Sequence, residues 1–344
     1  MEIENFNIDK KVFIIAELSA NHGGDKSVAI NSIKAAKQAG ANAIKLQTYR
    51  PDTITIDCDN KYFKIDNGSI WDGKTLYELY EDAYTPWEWH KELFEVAREE
   101  GLVCFSSPFD HSAVDLLEDL EAPAYKIASF EIQDIPLIEY AASKGKPIIM
   151  STGIAEKEDI ELAVRTCREA GNDQIILLKC TSSYPAPIEL ANLKTMVDMK
   201  ERFEVEIGLS DHTLGTTVPI VAKSLGAKVI EKHFILDKSI GGPDADFSLN
   251  PEEFKQMVDS VRSAEKAIGE VTYELDMKVK PNKRFARSLF VVKDIKKGDK
   301  LTKENVRSIR PGYGMHPKKF NNILGKKVIK DIKRGTPLSK KIIA

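Results

Sequence analysis

Between Val12 and about Ile268 the chain alternates two kinds of hydrophobic pattern. Short apolar runs of a few residues are separated by longer stretches in which apolar residues recur every three or four positions. The first kind reads as strand buried on both faces, the second as amphipathic helix laid against a sheet. The predicted strands are Val12–Ala16, Ala43–Gln47, Leu102–Ser106, Ala124–Ile127, Pro147–Met150, Ile175–Lys179, Glu204–Leu209 and Lys228–Glu231. Helical spacing runs through Ser27–Ala39, Trp87–Glu100, Ala113–Leu120, Lys157–Ala170 and Thr216–Leu225. Gly40, Gly101, Gly145 and Gly226 follow helices, where a left-handed C-cap turns the chain back into the next strand. Eight β/α units in succession predict an α/β fold of the (β/α)8 barrel type over residues 1–268. A doubly wound open sheet is the alternative, and no glycine-rich dinucleotide loop supports it.

The pattern breaks twice. From about Pro51 to Thr85 an insertion carries Trp71 and the run YELYEDAYTPWEWH. A loop of this length is usually functional or disordered, and its aromatic content points to an ordered, substrate-facing segment, with a packed surface excursion as the alternative. After Gly269 the stretch to residue 284 is charged, lacks a sustained apolar face and reads as a linker. Residues 285–344 then form a small unit with an internal echo, KDIKKGDKLTKEN at Lys293–Asn305 and KDIKRGTPLSKK at Lys330–Lys341. Each copy runs through a glycine turn, at Gly298 or Gly335, into a Leu and a Ser or Thr suited to capping a short helix. So small a unit has a marginal core and is expected to pack on something larger.

Composition narrows the function classes. The chain has 344 residues and a formal net charge of −3, with acidic and basic residues read as mixed along it. Nothing there marks a nucleic-acid binder or a membrane-surface protein. Four cysteines (Cys58, Cys104, Cys167 and Cys180) form no CxxC or other metal-binding spacing, as expected for reduced thiols. The N-terminus is polar, no stretch reaches transmembrane length, and a cytoplasmic location is expected.

Catalytic residues of such barrels sit at the C-terminal ends of strands. His212 and His233 follow two successive predicted strands, which would aim both imidazoles at one face as ligands for a borderline divalent metal. Two structural histidines are the alternative. Lys45 and Lys126 stand at other strand ends beside hydroxyl residues, and Ser151–Gly153 adds hydroxyl and backbone donors. Together they read as an anion site for phosphate or for phosphate plus carboxylate. Glu17 has no obvious basic neighbour in sequence and reads either as a general acid or base with a pKa raised by burial, or as a structural carboxylate.

Taken in order, AELSANHGG, AIKLQTY, CFSSPFD, AYKIASFEI, STGIA, LKCTSSYP, GLSDHT, EKHF, GPDADFSL, FARSLFVVKDIKKGD and IRPGYG resemble the sialic acid (nonulosonic acid) synthase family over essentially the whole chain. LYELYEDAYTPWEWH, AYKIASFEIQD and FSL after GPDAD bring it nearest to the pseudaminic acid branch. The resemblance implies a (β/α)8 barrel followed by an antifreeze-like (SAF) domain, and condensation of phosphoenolpyruvate with an N-acetylated amino sugar. It implies that Lys45, Ser107, Lys126, Ser129, Ser151 and Ser210 hold phosphoenolpyruvate, with Ser182 where some relatives carry asparagine. His212 and His233 would hold Mn²⁺ or Mg²⁺; Gln47, Tyr184, Asp244 and Phe285 would line the sugar site, Tyr184 also counting with the catalytic group of Glu17 and the two histidines. Arg310 would come from the partner in a domain-swapped homodimer. Two rivals of other classes remain: a Schiff-base aldolase using Lys45 or Lys126, and a non-catalytic carbohydrate-binding protein.

Overall fold

Parity along each strand organises this protein. Side chains alternate between the two faces of a strand, so in a closed barrel every second residue points inward. A computed structural model describes residues 1–66 and 72–344; Trp71 lies outside the described residues. The chain divides into two units, Met1–Gly269 and Glu270–Ala344.

In the first unit the barrel strands are β1 (Phe13–Glu17), β2 (Ala43–Thr48), β3 (Val103–Pro108), β4 (Tyr125–Ile127), β5 (Ile148–Ser151), β6 (Ile175–Cys180), β7 (Glu206–Asp211) and β8 (Val229–His233). All neighbours are parallel, and β8 pairs with β1 to close the ring. All eight predicted strands are present, with ends shifted by one or two residues, the usual uncertainty of a boundary. Each has a helix after it, from Lys26–Gln38 to Pro251–Ile268. Gly40 shows why a helix ends where it does: its φ is +94°, and a Cβ there would press on Val258 at 3.0 Å.

Inward-facing Phe13, Ile15, Val103, Phe105, Ile149, Ile176, Leu178 and Val229 fill the barrel with apolar side chains. Ile3 and Ile8, from a short N-terminal hairpin segment, join that cluster. The outward residues of the same strands, such as Ile14, Ile44, Tyr125 and Ile207, pack with the helices in a second and larger cluster. Gly208 is glycine because the interior has no room: a Cβ would lie 2.5 Å from the Val229 carbonyl and 2.6 Å from Leu178. Continuing the inward parity toward the C-terminal ends gives Glu17, Lys45, Gln47, Ser107, Lys126, Ser151, Cys180, Ser210, Glu231 and His233. The barrel is thus apolar below and polar above.

The insertion after β2 is ordered where it is described. A short helix, Pro51–Ile54, is followed by a Lys64–Thr75 bridge and a helix at Leu76–Ala83. Thr75 and Glu78 close a capping box on that helix.

The second unit has its own core, centred on Leu289, Val291, Ile295, Val306, Ile332 and Leu338. The sequence echo is a structural one. Ile295 and Ile332 exchange backbone hydrogen bonds of 2.9 and 2.8 Å. Asp294 accepts from the Arg334 amide at 2.8 Å, and Asp331 accepts from the Lys297 amide at 2.8 Å. The expected short helices appear only in part: the second copy enters a 3₁₀ turn at Lys340–Ile342, whereas the first closes in a hydrogen-bonded turn capped by Thr302 and Asn305. The expectation of evenly mixed charge is corrected. Glu270–Ala344 carries 21 Lys and Arg against seven Asp and Glu, so the near-neutral total hides a basic second unit and an acidic first one. Among the described residues no helix is long and apolar enough to cross a membrane.

Candidate active site

The polar upper half of the barrel opens into a cavity of about 370 Å³. Its floor is a buried charge network. Lys45 Nζ lies 2.8 Å from Glu17 Oε1 and 3.2 Å from Glu231 Oε1. Lys126 Nζ lies 3.3 Å from the same Glu231 oxygen and donates to Ser151 Oγ at 2.8 Å. Ser210 Oγ donates to Glu231 Oε1 at 3.0 Å. Glu231 is therefore the hub, linking four strands through one carboxylate.

Burial and charge set the protonation states. Burial opposes ionisation of Glu17, but His233, Lys45 and Lys126 outweigh it and hold the carboxyl well below the usual range. Two expectations for Glu17 are thereby corrected: it has basic partners, and its pKa moves down. The sequence hid the pairing because Lys45 is the register partner of Glu17 on the next strand. Burial disfavours charged Lys45 too, yet Glu17 and Glu231 raise its pKa. For Lys126 burial prevails, and the neighbouring Lys45 charge adds to it, so its pKa is lowered despite Glu231. Glu131, in the 3₁₀ turn Ser129–Glu131 after β4, also lines the cavity; burial pushes its carboxyl up to about 7 against the pull of Lys126.

One wall is a cradle of small polar groups. The Gly153 amide donates to Ser129 Oγ at 3.1 Å, and Ser129 Oγ to Cys180 Sγ at 3.4 Å. A Cβ on Gly153 would overlap Ser182 Oγ and approach Ser129 Oγ to 2.7 Å and Cys180 Sγ to 3.1 Å. Glycine is required here by contact, not by backbone conformation. Ser107 Oγ is buried on β3 without a hydrogen-bond partner among the described residues. A buried polar atom in that state is one that a ligand can satisfy.

Above the network the rings of His212 and His233 stand 5.3 Å apart. His212 Nδ1 lies 3.0 Å from the Thr181 carbonyl; donating there leaves Nε2 with its lone pair, as in an imidazole oriented for metal binding. His233 Nε2 is 3.3 Å from Glu17 Oε2, and its buried Nδ1 has no hydrogen-bond partner among the described residues, with Asp244 Oδ2 3.7 Å away. Among the described residues no group of three or more His, Cys, Asp or Glu converges as a ready-made metal cluster. Two imidazoles flanked by carboxylates still fit a divalent cation whose other ligands are water and substrate oxygens. Tyr184 and Phe247 pack on these rings, Tyr184 at 4.6 Å from His212 and Phe247 at 4.9 Å from His233. Gln47, on β2, donates to Ser19 Oγ at 2.8 Å at the same rim of the barrel.

The far wall is apolar and comes largely from the insertion: Ile54, Leu79, Tyr80 and Ala83, joined by Tyr49 and Phe109. Tyr49 stacks edge-on with Tyr80 at 5.7 Å and with Phe109 at 5.2 Å.

The first unit thus gathers Glu17, Lys45, Gln47, Lys126, Ser129, Ser151, Tyr184, Ser210, His212, His233 and Asp244 around one cavity. Ser107 is buried on the inward face of β3, and Ser182 stands against Gly153. Phe285 and Arg310 belong to the second unit, where both are exposed. Sequence reasoning missed Cys180 and Glu131 as site residues, and it placed Glu231 at a strand end without giving it a role. That role was detectable, because Glu231 lies two residues before His233 and so shares its face.

Comparison with known proteins agrees with this geometry. The model of the NeuB family matches residues 32–273, and that of the SAF domain matches residues 286–343. The chain belongs to the NeuB family. A pseudaminic acid synthase of Campylobacter jejuni is 54% identical, with 98% of each chain covered. A pseudaminic acid synthase of Helicobacter pylori is 51% identical over 95% of this chain and 96% of its own. Among solved structures, the N-acetylneuraminic acid synthetase of Leptospira borgpetersenii superposes with a TM-score of 0.73 at 32% identity, covering 82% of this chain and 94% of the other. The NeuB match falls on the unit that holds the cavity, and the SAF match on the basic unit.

Proposed function

We propose that this NeuB-family enzyme is a pseudaminic acid synthase. It condenses phosphoenolpyruvate with 2,4-diacetamido-2,4,6-trideoxy-L-altrose, releasing phosphate by C–O cleavage. The observation that carries the reading is the floor of two buried lysines, buried serines and the Gly153 amide beneath a pair of imidazoles. Full burial is costly for a lysine, and here it serves a small, highly charged anion.

In this reading Lys45, Lys126, Ser107, Ser129, Ser151, Ser182 and Ser210 hold the phosphate and carboxylate of phosphoenolpyruvate. His212 and His233 hold a divalent cation, Mn²⁺ or Mg²⁺, which when bound supplies Lewis-acid polarisation of the sugar aldehyde. Gln47, Tyr184 and Asp244 orient the open-chain sugar so that its aldehyde carbon faces C3 of phosphoenolpyruvate, converting an encounter into a positioned attack. Once the C–C bond has formed, C2 is electron-poor and water adds to it. Glu17, kept ionised by its basic neighbours, takes the proton of that water. The lysines stabilise the phosphate as it leaves, and the keto acid closes to its ring. The Tyr49, Leu79, Tyr80 and Phe109 wall suits the 6-deoxy carbon and acetamido methyls, which offer apolar surface where N-acetylmannosamine offers hydroxyls.

The working form is a domain-swapped homodimer in which Phe285 and Arg310 complete the partner's sugar site. This assembly is what the family resemblance implies; the opposite charges of the two units do not choose between the same chain and a partner. The site of action is the cytoplasm, in keeping with four free cysteines.

The test is Mn²⁺-dependent phosphate release from phosphoenolpyruvate with three sugars offered separately: the L-altrose derivative, its D-mannose-configured counterpart and N-acetylmannosamine. Strong turnover is expected with the altrose sugar alone, and at most a low rate with the other two. Preference for either of the others reassigns the enzyme to the legionaminic or N-acetylneuraminic acid branch. Trapping of substrate on Lys45 or Lys126 by borohydride would favour the aldolase, and no turnover with any of the three sugars would favour a binding protein.

A further inference from the structure

Directly behind the two histidines, on the outer face of the barrel, lies a second charged pair that the proposed reaction does not use. On β7, Ser210 points inward and Asp211 outward; on β8, Glu231 and His233 point inward and Lys232 outward. Asp211 and Lys232 are register partners, and theirs is the last pair in the β7–β8 ladder. Both are buried, with Lys232 Nζ 2.6 Å from Asp211 Oδ2. The same Nζ donates to the Thr213 carbonyl, and Asp211 Oδ1 accepts from the Thr213 amide at 2.9 Å.

His212 is the first residue beyond that ladder. On its β6 side it is well held: Nδ1 meets the Thr181 carbonyl, and its own carbonyl accepts from the Ala186 amide at 3.0 Å. On its β8 side no backbone rung follows Lys232–Asp211. Among the described residues, the hydrogen bond that carries the β7–β8 link past the end of the ladder is that of Lys232 Nζ to the Thr213 carbonyl, and Asp211 holds Thr213 in place from its own strand. His233 follows Lys232 directly. The pair therefore ties together the two backbone segments on which the imidazoles stand, from the side opposite the cavity.

We infer that Asp211 and Lys232 form a positioning clamp that sets the separation of His212 and His233 and thereby the affinity for the divalent cation. The inference rests on the metal reading of those histidines. A buried ion pair is an expensive way to fill space, since an apolar pair of similar volume is often as stable. What the ion pair adds is direction: a carboxylate and an ammonium with fixed partners hold one strand spacing where apolar contacts tolerate several.

The experiment separates positioning from mere stability. Lys232→Met leaves Asp211 buried without its cation and is expected to destabilise the protein. The double variant Asp211→Asn/Lys232→Met removes both charges and recovers much of the thermal stability. Mn²⁺ binding to the protein without substrates is then measured by the electron paramagnetic resonance of free Mn²⁺. The clamp predicts that the double variant binds Mn²⁺ about 10–100-fold more weakly despite its recovered stability. Asp211→Glu, which keeps both charges and lengthens the link by one methylene, is expected to weaken Mn²⁺ in the same sense. Wild-type Mn²⁺ affinity in either variant, folded, overturns the clamp. Absence of Mn²⁺ binding in the wild type, or full binding by His233→Ala, overturns the metal assignment instead and the clamp with it.

Discussion

Glu231→Gln is the most informative single perturbation, because one oxygen of Glu231 serves Lys45 at 3.2 Å, Lys126 at 3.3 Å and Ser210 at 3.0 Å. Glutamine keeps the volume and an acceptor oxygen but removes the charge, leaving two buried lysines to share Glu17. Breaking a buried ion pair costs about 3–5 kcal/mol, and the retained acceptor places this change near about 3. At roughly 2 °C per kcal/mol for a domain of this size, the midpoint of thermal unfolding should fall by about 6 °C. All three tryptophans lie in the first unit, so tryptophan fluorescence follows that unit alone. Phosphoenolpyruvate brings the missing negative charge, and its addition should raise the midpoint of the variant by more than it raises that of the wild type. Two results would refute the reasoning. A folded variant with an unchanged midpoint would mean that water screens the network, and equal increments with ligand would mean that the anion does not contact the lysines.

Gly153→Ala drives a methyl group into Ser129, Cys180 and Ser182, so the KM for phosphoenolpyruvate should rise at least about tenfold; steady-state kinetics with an unchanged KM would remove the cradle from the anion site. Glu131 has a folded pKa of about 7, above its ordinary 4.5. It therefore stabilises fully below about pH 4.5 and loses that contribution as pH rises toward 7. Glu131→Gln should gain stability over the wild type across that interval, by on the order of 2–3 kcal/mol above pH 7; a pH-independent difference in denaturant midpoints would contradict the assignment. Tyr80→Ala should cut kcat/KM for the altrose sugar by about tenfold and leave the low rate with N-acetylmannosamine nearly unchanged. Equal losses for both sugars would show that the aromatic wall shapes the site without choosing the substrate.

The fold was legible because its signals are local. Apolar runs, helical spacing and glycine C-caps each involve residues close in sequence, and the eight strands stand where those signals placed them. Much of the site was legible for the same reason, since a strand end such as Ser210–His212 or Glu231–His233 can be read from the run that precedes it. What stayed hidden was pairing. Glu17 had no cation near it in sequence until pairing of β1 with β2 set it beside Lys45, and Glu231 became a hub only when β2, β4 and β7 converged on β8. The insertion was legible as aromatic, but only packing made Leu79 and Tyr80 a wall of the cavity. Charge was misread in the same way, because a total near neutrality conceals two units of opposite sign. The alternation of side chains belongs to each strand, so the chain alone decides which residues face the barrel interior. Which of them then touch depends on register and closure, and those arise from the simultaneous burial of many strands. The pKa values, the cradle and the clamp behind the histidines belong to that second level, since each depends on neighbours far away in sequence.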